Sequence, residues 1–157
     1  MSNDKSLDWG YIKCLCDEVV EKINCQNDKV SNIIAVSRGG LIPATILSHM
    51  LDVDRLYCVG MKSYKGKSKV GEPSIYQGIS GAMLWTMRSS TGCTLIVDDI
   101  CDTGDTFKYI KNTIIDKLDN TRFVSLILKP KSKFTPRYYG EKSHKWIVYP
   151  WELNNSV

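Results

Sequence analysis

The sequence predicts an α/β protein in which a twisted, mainly parallel sheet is flanked by helices. Two observations lead to this prediction. Short runs of apolar, often β-branched residues alternate along the chain with segments whose apolar residues recur every three or four positions, as on one face of a helix. The strand-like runs are apolar throughout, which is typical of parallel strands buried on both faces.

The composition is typical of one folded domain. The chain has 157 residues, of which 43% are hydrophobic and 24% charged, and it contains no repeat or linker-like tract. We therefore predict a single domain over residues 1–157. No apolar run approaches the roughly 18 residues of a membrane-spanning helix, and the first residues lack the pattern of a signal peptide. We expect a cytoplasmic protein without a membrane span, in which the six cysteines remain free thiols.

The first part of the chain contains two predicted helices and two predicted strands. Apolar residues over 9–23 are spaced three and four apart, which predicts an amphipathic helix. Residues 32–36 are apolar and β-branched and predict a buried strand. Residues 41–51 predict a second helix, and Pro43 is compatible with it because proline is tolerated in a first helical turn. Residues 55–61 predict a second strand.

A long polar segment separates these elements from the rest. Residues 62–81 contain four Gly and one Pro and show no clear period, so we predict a loop. A loop of this length in a small domain is usually functional. Residues 82–87 predict a strand that closes it. By the same criteria, the remaining predicted elements are a strand at 94–97, a helix at 107–118 and strands at 123–128 and 146–149.

The distribution of charge indicates a phosphorylated substrate with a divalent metal. The net charge of +4 is too small to indicate a nucleic-acid partner. Two basic stretches, however, flank an acidic one, a pattern suited to phosphate and a metal ion. Solvated surface charge is the alternative for either basic stretch alone. The three groups are Lys62, Lys65, Lys67 and Lys69; Lys129, Lys131, Lys133 and Arg137; and Asp98, Asp99, Asp102 and Asp105.

The most informative motif is Leu-Ile-Val-Asp-Asp-Ile-Cys-Asp-Thr-Gly-Asp-Thr at 95–106. A predicted strand delivers two carboxylates, and a Thr/Gly-rich turn then opens a helix, whose backbone N–H groups and dipole bind phosphate well. Asp98 and Asp99 repel each other unless a cation or sugar hydroxyls lie between them. The motif therefore indicates a sugar phosphate with Mg²⁺. For Asp102 alone, helix capping is the alternative interpretation.

This motif resembles the phosphoribosyl-pyrophosphate signature of the type I phosphoribosyltransferases. The resemblance extends from residue 32 to residue 152 and is closest to the xanthine-guanine branch of the 6-oxopurine enzymes. It is also carried by Ile-Ala-Val-Ser-Arg-Gly-Gly-Leu-Ile-Pro at 34–43, Ser-Tyr at 63–64, Leu-Lys-Pro at 128–130 and Trp-Ile-Val-Tyr-Pro-Trp-Glu at 146–152. The resemblance implies the fold of that family, with a flexible lid at about 62–81 and purine-binding hood elements at about 129–157.

The resemblance also implies an activity. Such an enzyme transfers ribose 5-phosphate from 5-phosphoribosyl 1-pyrophosphate to guanine, xanthine or hypoxanthine, giving the nucleoside monophosphate and pyrophosphate. It is Mg²⁺-dependent, serves purine salvage and works as a homo-oligomer, either a dimer or a tetramer. No nucleic-acid partner is implied.

The resemblance assigns a role to each site residue on the sugar-phosphate side. Asp102 is implied as the general base. Asp98 and Asp99 are implied at the ribose hydroxyls, with Asp99 ahead of Asp98 as the metal ligand. The residues implied to bind the 5′-phosphate are Asp102, Thr103, Gly104, Asp105 and Thr106. Those implied to bind pyrophosphate are Ser37, Arg38, Gly39, Lys65, Lys67 and Lys69.

Four further residues are implied in the purine pocket. Lys129 has only donors, so it would donate to a 6-oxo group and disfavour a 6-amino group. Trp146 would stack on the base, Ile147 would offer backbone groups to its edge, and Glu152 would contact the 2-position. For Lys129 the alternative is an ordinary surface lysine, and for Trp146 it is a half-buried aromatic residue at the end of a strand.

Some positions depart from the pattern of the branch. Asp105 places a carboxylate inside the phosphate loop, the lid contains Lys and no Arg, and Glu152 stands where Asp is common. These departures leave the choice among the 6-oxopurines open. A non-catalytic regulatory protein of the same fold that binds phosphoribosyl pyrophosphate is the alternative function. Lys129 and Trp146 favour the enzyme, because a regulator has no need of a purine pocket.

Overall fold

The computed structural model describes residues 4–62, 73–114 and 118–152. Within those ranges the chain forms eight strands and four helices. In chain order they are β1 (Asp4–Ser6), α1 (Trp9–Cys25), β2 (Val30–Ser37), α2 (Leu41–Met50), β3 (Leu56–Lys62), β4 (Ser74–Gln77), α3 (Gly81–Arg88), β5 (Cys93–Cys101), α4 (Asp105–Thr113), β6 (Thr121–Leu128), β7 (Tyr138–Lys142) and β8 (Trp146–Val148).

Six of the strands form one sheet in the order β4-β3-β2-β5-β6-β7. All neighbours in it are parallel except β4, which pairs antiparallel with β3 at the edge. The predicted mainly parallel sheet is therefore confirmed. The strand order places β2 and β5 at the centre of the sheet, where their carboxyl ends lie side by side.

Helices cover both faces of this sheet, which explains why the central strands are apolar throughout. Ile33 and Ala35 of β2 pack into a core with α1 and α2. Ile34 and Val36 pack into a second core on the other face, with α4 and the end of α3. Because successive side chains of a strand point to opposite faces, a strand covered on both sides has no polar face to present.

Helix α1 illustrates how the local sequence dictates an element. The Asp8 carboxylate caps its start by accepting the Tyr11 N–H at 2.7 Å. Five apolar residues at helical spacing are buried against the sheet, and each fully buried side chain of this size contributes roughly 1.5–3 kcal/mol. They are Ile12, Leu15, Cys16, Val19 and Ile23. The predicted first helix is confirmed, as are the second helix and the strands before and after it.

Two further strands form a small second sheet. Strands β1 and β8 pair in parallel, with Lys5 opposite Ile147. The predicted final strand is thus present, but it pairs with the start of the chain and not with the central sheet. Neither β1 nor β7 was expected, because Asp-Lys-Ser at 4–6 and the Gly- and Glu-containing run at 138–142 lack the apolar character of buried strands.

Two expectations around the predicted lid are wrong. Residues 82–87 were expected as a strand but lie in helix α3, which Ser80 caps by accepting the Met83 N–H at 3.2 Å. Ala, Met and Leu favour helices, and a short apolar run cannot distinguish the two states by period. Within the segment expected to be a loop, residues 74–77 form β4. Residues 78–80 belong to no helix or strand, as expected of a loop, and residues 63–72 lie outside the described residues.

The predicted helix at 107–118 is shorter than expected. Helix α4 begins at Asp105 and ends at Thr113, while Ile114 and Leu118 are still buried in the core beneath it. Its hydrophobic stripe therefore extends past the helical residues. Residues 115–117 lie outside the described part of the chain.

The cysteines are unpaired thiols, and three of them fill core positions. Burial raises the pKa of Cys16 to about 12 and that of Cys101 to about 11, so both remain protonated at neutral pH. In the described ranges, no helix combines the length and the apolar composition needed to cross a membrane.

Candidate active site

Three segments predicted to carry chemistry meet at one edge of the sheet. They follow Ser37 at the end of β2, Cys101 at the end of β5 and Leu128 at the end of β6. Cys101 and Leu128 are opposite each other in the parallel ladder, so the loops after β5 and β6 start at the same level. Ligands of open α/β sheets bind at such carboxyl ends.

The turn into α4 has the geometry of an anion site. Gly104 adopts φ +89°, and a Cβ there would lie 2.5 Å from the Cβ of Phe134, so this position requires glycine. The Thr103 carbonyl accepts the Lys133 N–H at 2.9 Å, which fixes the turn against the following loop. The first N–H groups of a helix have no intrahelical partner, and they point with the positive end of its dipole toward any bound phosphate.

The Asp105 carboxylate belongs to this same turn. Its Oδ2 accepts the Thr103 hydroxyl at 2.7 Å, and the Thr103 oxygen in turn accepts the Asp105 N–H at 3.3 Å. Both side chains are exposed. The acid is therefore bound to the side of the turn, and it uses the Thr103 hydroxyl that was expected to be a phosphate donor.

The acidic pair lies against the loop that follows β2. A Cβ built on Gly39 would lie 2.4 Å from the carboxyl carbon of Asp99, so only glycine fits beside this nearly buried carboxylate. Asp98 is less buried, and its Oδ1 accepts the Asp99 N–H at 2.9 Å. The predicted ribose residues and the predicted pyrophosphate loop are thus in contact.

The loop after β2 is compact because Gly40 allows a close approach. A Cβ at Gly40 would lie 2.2 Å from the Val97 carbonyl oxygen. The Gly40 N–H donates to the Val36 carbonyl at 2.8 Å, and the Ser37–Arg38 peptide bond is cis. Arg38 is exposed beside this turn. An exposed guanidinium next to a tight loop can offer a planar set of donors to an anion.

A cleft of about 320 Å³ opens beside the acidic loop. It brings together all of the residues predicted for the purine and the general base. Its lining residues are Asp99, Ile100, Asp102, Lys129, Pro130, Lys131, His144, Trp146, Ile147, Tyr149 and Glu152.

Lys129 is buried at the inner end of this cleft. Its ammonium donates to the Lys145 carbonyl. Burial lowers the pKa of Lys129, and the nearby Lys131 lowers it further, while Asp102 opposes the shift. A buried cationic donor in a ligand cleft selects for an acceptor on the ligand.

The predicted purine contacts differ in how they are presented. Trp146 is 62% exposed, whereas Ile147 is buried in the core and also lines the cleft. The Glu152 carboxylate accepts the Tyr149 N–H at 3.1 Å. The side chain of Glu152 is therefore directed back to its own turn, with one oxygen occupied.

Asp102 is paired across the cleft with Lys131. The Lys131 ammonium is 2.9 Å from Asp102 Oδ1, an oxygen that is shielded from water and receives no hydrogen bond of good geometry. The contact is therefore an ion pair by proximity and not by directional bonding. It links the loop after β5 to the loop after β6.

Tyr149 was not singled out from the sequence, yet it supports the acidic strand. Its buried hydroxyl donates to the Asp99 carbonyl at 2.9 Å, and its ring stacks on Trp151 with centroids 4.6 Å apart. Burial and the carboxylates of Asp99 and Asp98 raise its pKa well above 10, so it remains a donor. The alternation of Ile147 in β8 with Tyr149 just after it was the available signal.

The remaining predicted residues are either near the cleft or undescribed. Ser37, Arg38 and Gly39 lie on the Asp99 side, and the turn at 103–106 follows Asp102 directly. Lys65, Lys67 and Lys69 lie outside the described residues. His144 also lines the cleft but was not singled out from the sequence, while Pro130 and Lys131 line it and belong to the Leu-Lys-Pro motif and to the second basic stretch.

The donor set fits a metal that is shared with a substrate. Among residues 4–62, 73–114 and 118–152, no group of three or more His, Cys, Asp or Glu side chains could hold a metal ion. Asp98 and Asp99 provide two adjacent carboxylates beside the loop after β2. Mg²⁺ is usually bound by one or two carboxylates together with substrate phosphates and water, and not by a protein cage.

Sequence comparison matches the chain to one family model and to several named relatives. A model of the family described as "Phosphoribosyl transferase domain" matches residues 2–155. The xanthine-guanine phosphoribosyltransferase of Desulfotalea psychrophila is 32% identical over 130 residues, which are 82% of this chain and 74% of that protein. The protein of the same name from Idiomarina loihiensis is 29% identical, over 81% of this chain and 74% of that protein.

A solved structure is similar over nearly the whole length. The purine phosphoribosyltransferase from Pyrococcus horikoshii Ot3 superposes with a TM-score of 0.78 and is 32% identical in sequence. The match covers 99% of this chain and 98% of that one. It therefore includes both the six-stranded and the two-stranded sheet.

Proposed function

The chain belongs to the phosphoribosyltransferase family, and on that premise we propose that it is a purine phosphoribosyltransferase of nucleotide salvage. It transfers ribose 5-phosphate from 5-phosphoribosyl 1-pyrophosphate to a 6-oxopurine and releases pyrophosphate. The observation that carries this proposal is the cleft in which Asp102, Lys129 and Trp146 are brought together beside the anion-binding turn at 103–106. A base pocket joined to a phosphate site is what this transfer requires.

The 5′-phosphate of the sugar binds at the turn into α4. The N–H groups of 103–106 face the monoester, and the dipole of α4 favours its charge. The left-handed Gly104 shapes the turn, and Asp102 precedes it. Asp105 stays beside the turn on the Thr103 hydroxyl, so its negative charge is kept to one side of the bound phosphate.

The acidic pair stabilises the sugar as its bond to pyrophosphate breaks. Positive charge develops on the ribose in that transition state, and the carboxylates of Asp98 and Asp99 are fixed nearby. Asp99 is held by the Tyr149 hydroxyl on its carbonyl and lies against Gly39. Its position is therefore set before substrate binds, which is the condition for efficient electrostatic stabilisation.

Asp102 acts as the general base or as the partner of the proton on the purine imidazole ring. It lies between the phosphate turn and the base cleft, where the reacting nitrogen must be. The Lys131 ammonium lies 2.9 Å from one carboxylate oxygen of Asp102, and both residues line the cleft.

The purine binds between Trp146 and the loop after β6. The exposed Trp146 ring stacks on the base, an interaction worth roughly 1–3 kcal/mol. Lys129 donates to the 6-oxo group, the Ile147 backbone meets the purine edge, and Glu152 meets the 2-position. Because Lys129 has no acceptor, adenine is disfavoured.

Pyrophosphate leaves from the loop at 37–39. Ser37, the Arg38 guanidinium and the Gly39 N–H provide donors for its oxygens. Lys65, Lys67 and Lys69 are proposed to add positive charge on this side. Mg²⁺, when bound, neutralises diphosphate charge and makes pyrophosphate a better leaving group. Asp99, with Asp98 as the second choice, would hold that ion together with the substrate.

We also propose that one phosphoribosyltransferase domain occupies residues 1–157, with the lid at about 62–81 and the hood at about 129–157. The family match over 2–155 and the pairing of β1 with β8 support this organisation. A homo-oligomer, either a dimer or a tetramer, in the cytosol is carried over from the family resemblance. Light scattering on the purified protein tests the oligomeric state.

An assay with four purines tests the function. The protein is mixed with phosphoribosyl pyrophosphate, Mg²⁺ and guanine, xanthine, hypoxanthine or adenine, and product formation is followed by ultraviolet absorbance. We expect nucleoside monophosphate from 6-oxopurines and little or none from adenine. If calorimetry detects binding of the sugar donor but no purine is consumed, the regulatory protein replaces the enzyme as the function.

A further inference from the structure

Tyr76 lies beside the first residue of the loop proposed to bind pyrophosphate. Its hydroxyl oxygen is 3.0 Å from the hydroxyl oxygen of Ser37. Tyr76 belongs to the edge strand β4, Ser37 ends β2, and β3 lies between these two strands in the sheet. The tyrosine therefore reaches across one whole strand to the loop, and nothing in the proposed function uses it.

Gly60 on β3 makes this reach feasible. A Cβ built on Gly60 would lie 2.4 Å from Cε2 and 2.6 Å from Cζ of Tyr76. Gly60 is opposite Ser37 in the parallel ladder and opposite Gln77 in the antiparallel one. The ring lies against bare backbone, and a side chain at position 60 would push it off the line to Ser37.

The pairing of two hydroxyls leaves a donor for a ligand. Each hydroxyl has one proton and can also accept, so their mutual bond uses one proton and leaves the other O–H available. The Tyr76 side chain is 64% exposed, so its contact with Ser37 adds little to the stability of the core. The contact does place both hydroxyl oxygens beside the loop that also carries Arg38.

We infer that Tyr76 is a positioning residue for the sugar donor. It holds the Ser37 hydroxyl in place at the pyrophosphate loop, so that one O–H of the pair donates to a diphosphate oxygen. This inference rests on the proposed function, since it takes the loop after β2 as the diphosphate site. The residues of the purine cleft come from other elements, so the effect of Tyr76 is confined to the sugar donor.

Four variants test the inference: Tyr76→Phe, Ser37→Ala, their combination, and Tyr139→Phe as a matched control. Tyr139 lies on β7 at the opposite edge of the sheet, and its ring contacts with Lys22 and Lys142 survive the change to Phe. We expect Tyr76→Phe to weaken binding of phosphoribosyl pyrophosphate and of pyrophosphate about three- to tenfold in calorimetry. Its KM for the purine and its kcat should stay near wild type.

The double variant decides whether the tyrosine acts through Ser37. If it does, the combined change weakens donor binding no more than the larger single change, because both remove the same interaction. Thermal unfolding of each variant separates a loss of fold from a loss of binding. Donor binding by Tyr76→Phe equal to wild type, or fully additive losses in the double variant, would overturn the inference.

The outcomes also separate this inference from the proposed function. Donor binding is measured without a purine, so a wild-type protein that binds the donor but converts no purine refutes the enzyme and leaves the Tyr76 comparison valid. A wild-type protein that binds neither phosphoribosyl pyrophosphate nor pyrophosphate overturns both. A Tyr76→Ala variant, which removes the ring as well, should match Tyr76→Phe if only the hydroxyl matters.

Discussion

The ammonium of Lys131 lies 2.9 Å from Oδ1 of Asp102 and joins the loops that follow two neighbouring strands, β6 and β5. The lysine side chain is 65% exposed, whereas the aspartate oxygen that it meets is shielded from water. Shielding from water removes part of the solvation that stabilises the negative charge of Asp102. The positive charge of Lys131 compensates for part of that loss. The pair thereby places a positive charge beside Asp102, and both residues line the cleft.

Replacing this lysine should affect turnover more than stability. An exposed ion pair contributes about 0–1 kcal/mol to folding, so Lys131→Met should unfold in urea close to wild type. Its kcat with hypoxanthine should fall severalfold because Asp102 is free to rotate, and Lys131→Arg should recover most of that loss. Lys133→Met, an exposed lysine on the same loop, is the control. An unchanged kcat in Lys131→Met would mean that the ion pair has no part in the reaction.

Asp102 and Asp105 share one turn but should have unequal effects. Asp102→Asn removes the general base and should lower kcat by about 10²–10⁴ while calorimetry still detects the sugar donor. Asp105→Asn changes only an exposed carboxylate held by Thr103, so its kcat should stay within about threefold of wild type. Similar losses in both variants would assign Asp102 to the structure of the turn and not to proton transfer.

The sequence predicted most accurately what is encoded by neighbouring residues. The strand β5, which includes Asp98 and Asp99, leads directly into the turn at 102–104. The motif at 95–106 therefore predicted that the acidic pair and the turn lie close together. The burial of β2 on both faces could likewise be predicted from its continuous apolar run, since the adjacent residues Ile33 and Ile34 enter opposite cores.

Contacts between distant segments could not be predicted in this way. The pairing of Tyr76 with Ser37 depends on β4, and residues 74–77 were expected to be part of a loop. The bond from Tyr149 to the Asp99 carbonyl joins residues fifty positions apart. Local propensity carries no information on such pairs, and the tertiary structure decides them. The same holds for β1, which is a strand only because β8 lies beside it.

Gly104 should be far less tolerant of alanine than Gly81 is. A side chain at Gly104 faces both a left-handed φ of +89° and a Cβ contact of 2.5 Å with Phe134. The backbone alone costs roughly 1–2 kcal/mol, and the contact adds to it. Gly81 is the first residue of α3 and has open space around it, so alanine there should be neutral or slightly stabilising. Urea unfolding measures both variants, and equal stabilities would contradict this account of the turn.

Asp28 should stabilise the fold in a pH-dependent way. Its partial burial would raise its pKa, but the Tyr138 hydroxyl at 2.6 Å and the Arg122 Nε at 2.9 Å outweigh this and lower it below 3.8. A lowered carboxyl pKa gives stability that is present above the unfolded value and is lost as the pH falls through the folded one. Asp28→Asn should therefore be less stable than wild type at pH 7, by on the order of 1.5–3 kcal/mol.

The pH series distinguishes this effect from simple packing. The difference between wild type and Asp28→Asn should shrink as the pH falls below about 4, since the wild-type carboxylate then becomes protonated. Asp54→Asn, at an exposed position, should differ from wild type by little at any pH. A stability difference for Asp28→Asn that stays constant from pH 7 to pH 3 would rule out the charge as its cause.

Lys129 should lower the stability of the fold within a defined pH range and should also determine the preference for 6-oxopurines. Burial lowers its pKa below 10.5, so between the lowered value and 10.5 the unfolded chain binds more protons than the folded one. The stability of the wild type therefore rises with pH across that window, and Lys129→Met should lose that rise.

The same variant should also change activity. Loss of a charged donor to the 6-oxo group should lower kcat/KM for hypoxanthine about 10- to 150-fold and leave any adenine activity unaffected. Lys145→Met is the control, because it keeps the backbone carbonyl that Lys129 contacts. If Lys129→Met still prefers hypoxanthine over adenine as strongly as wild type, Lys129 does not contact the 6-position of the purine. Its burial would then serve the structure of the loop alone.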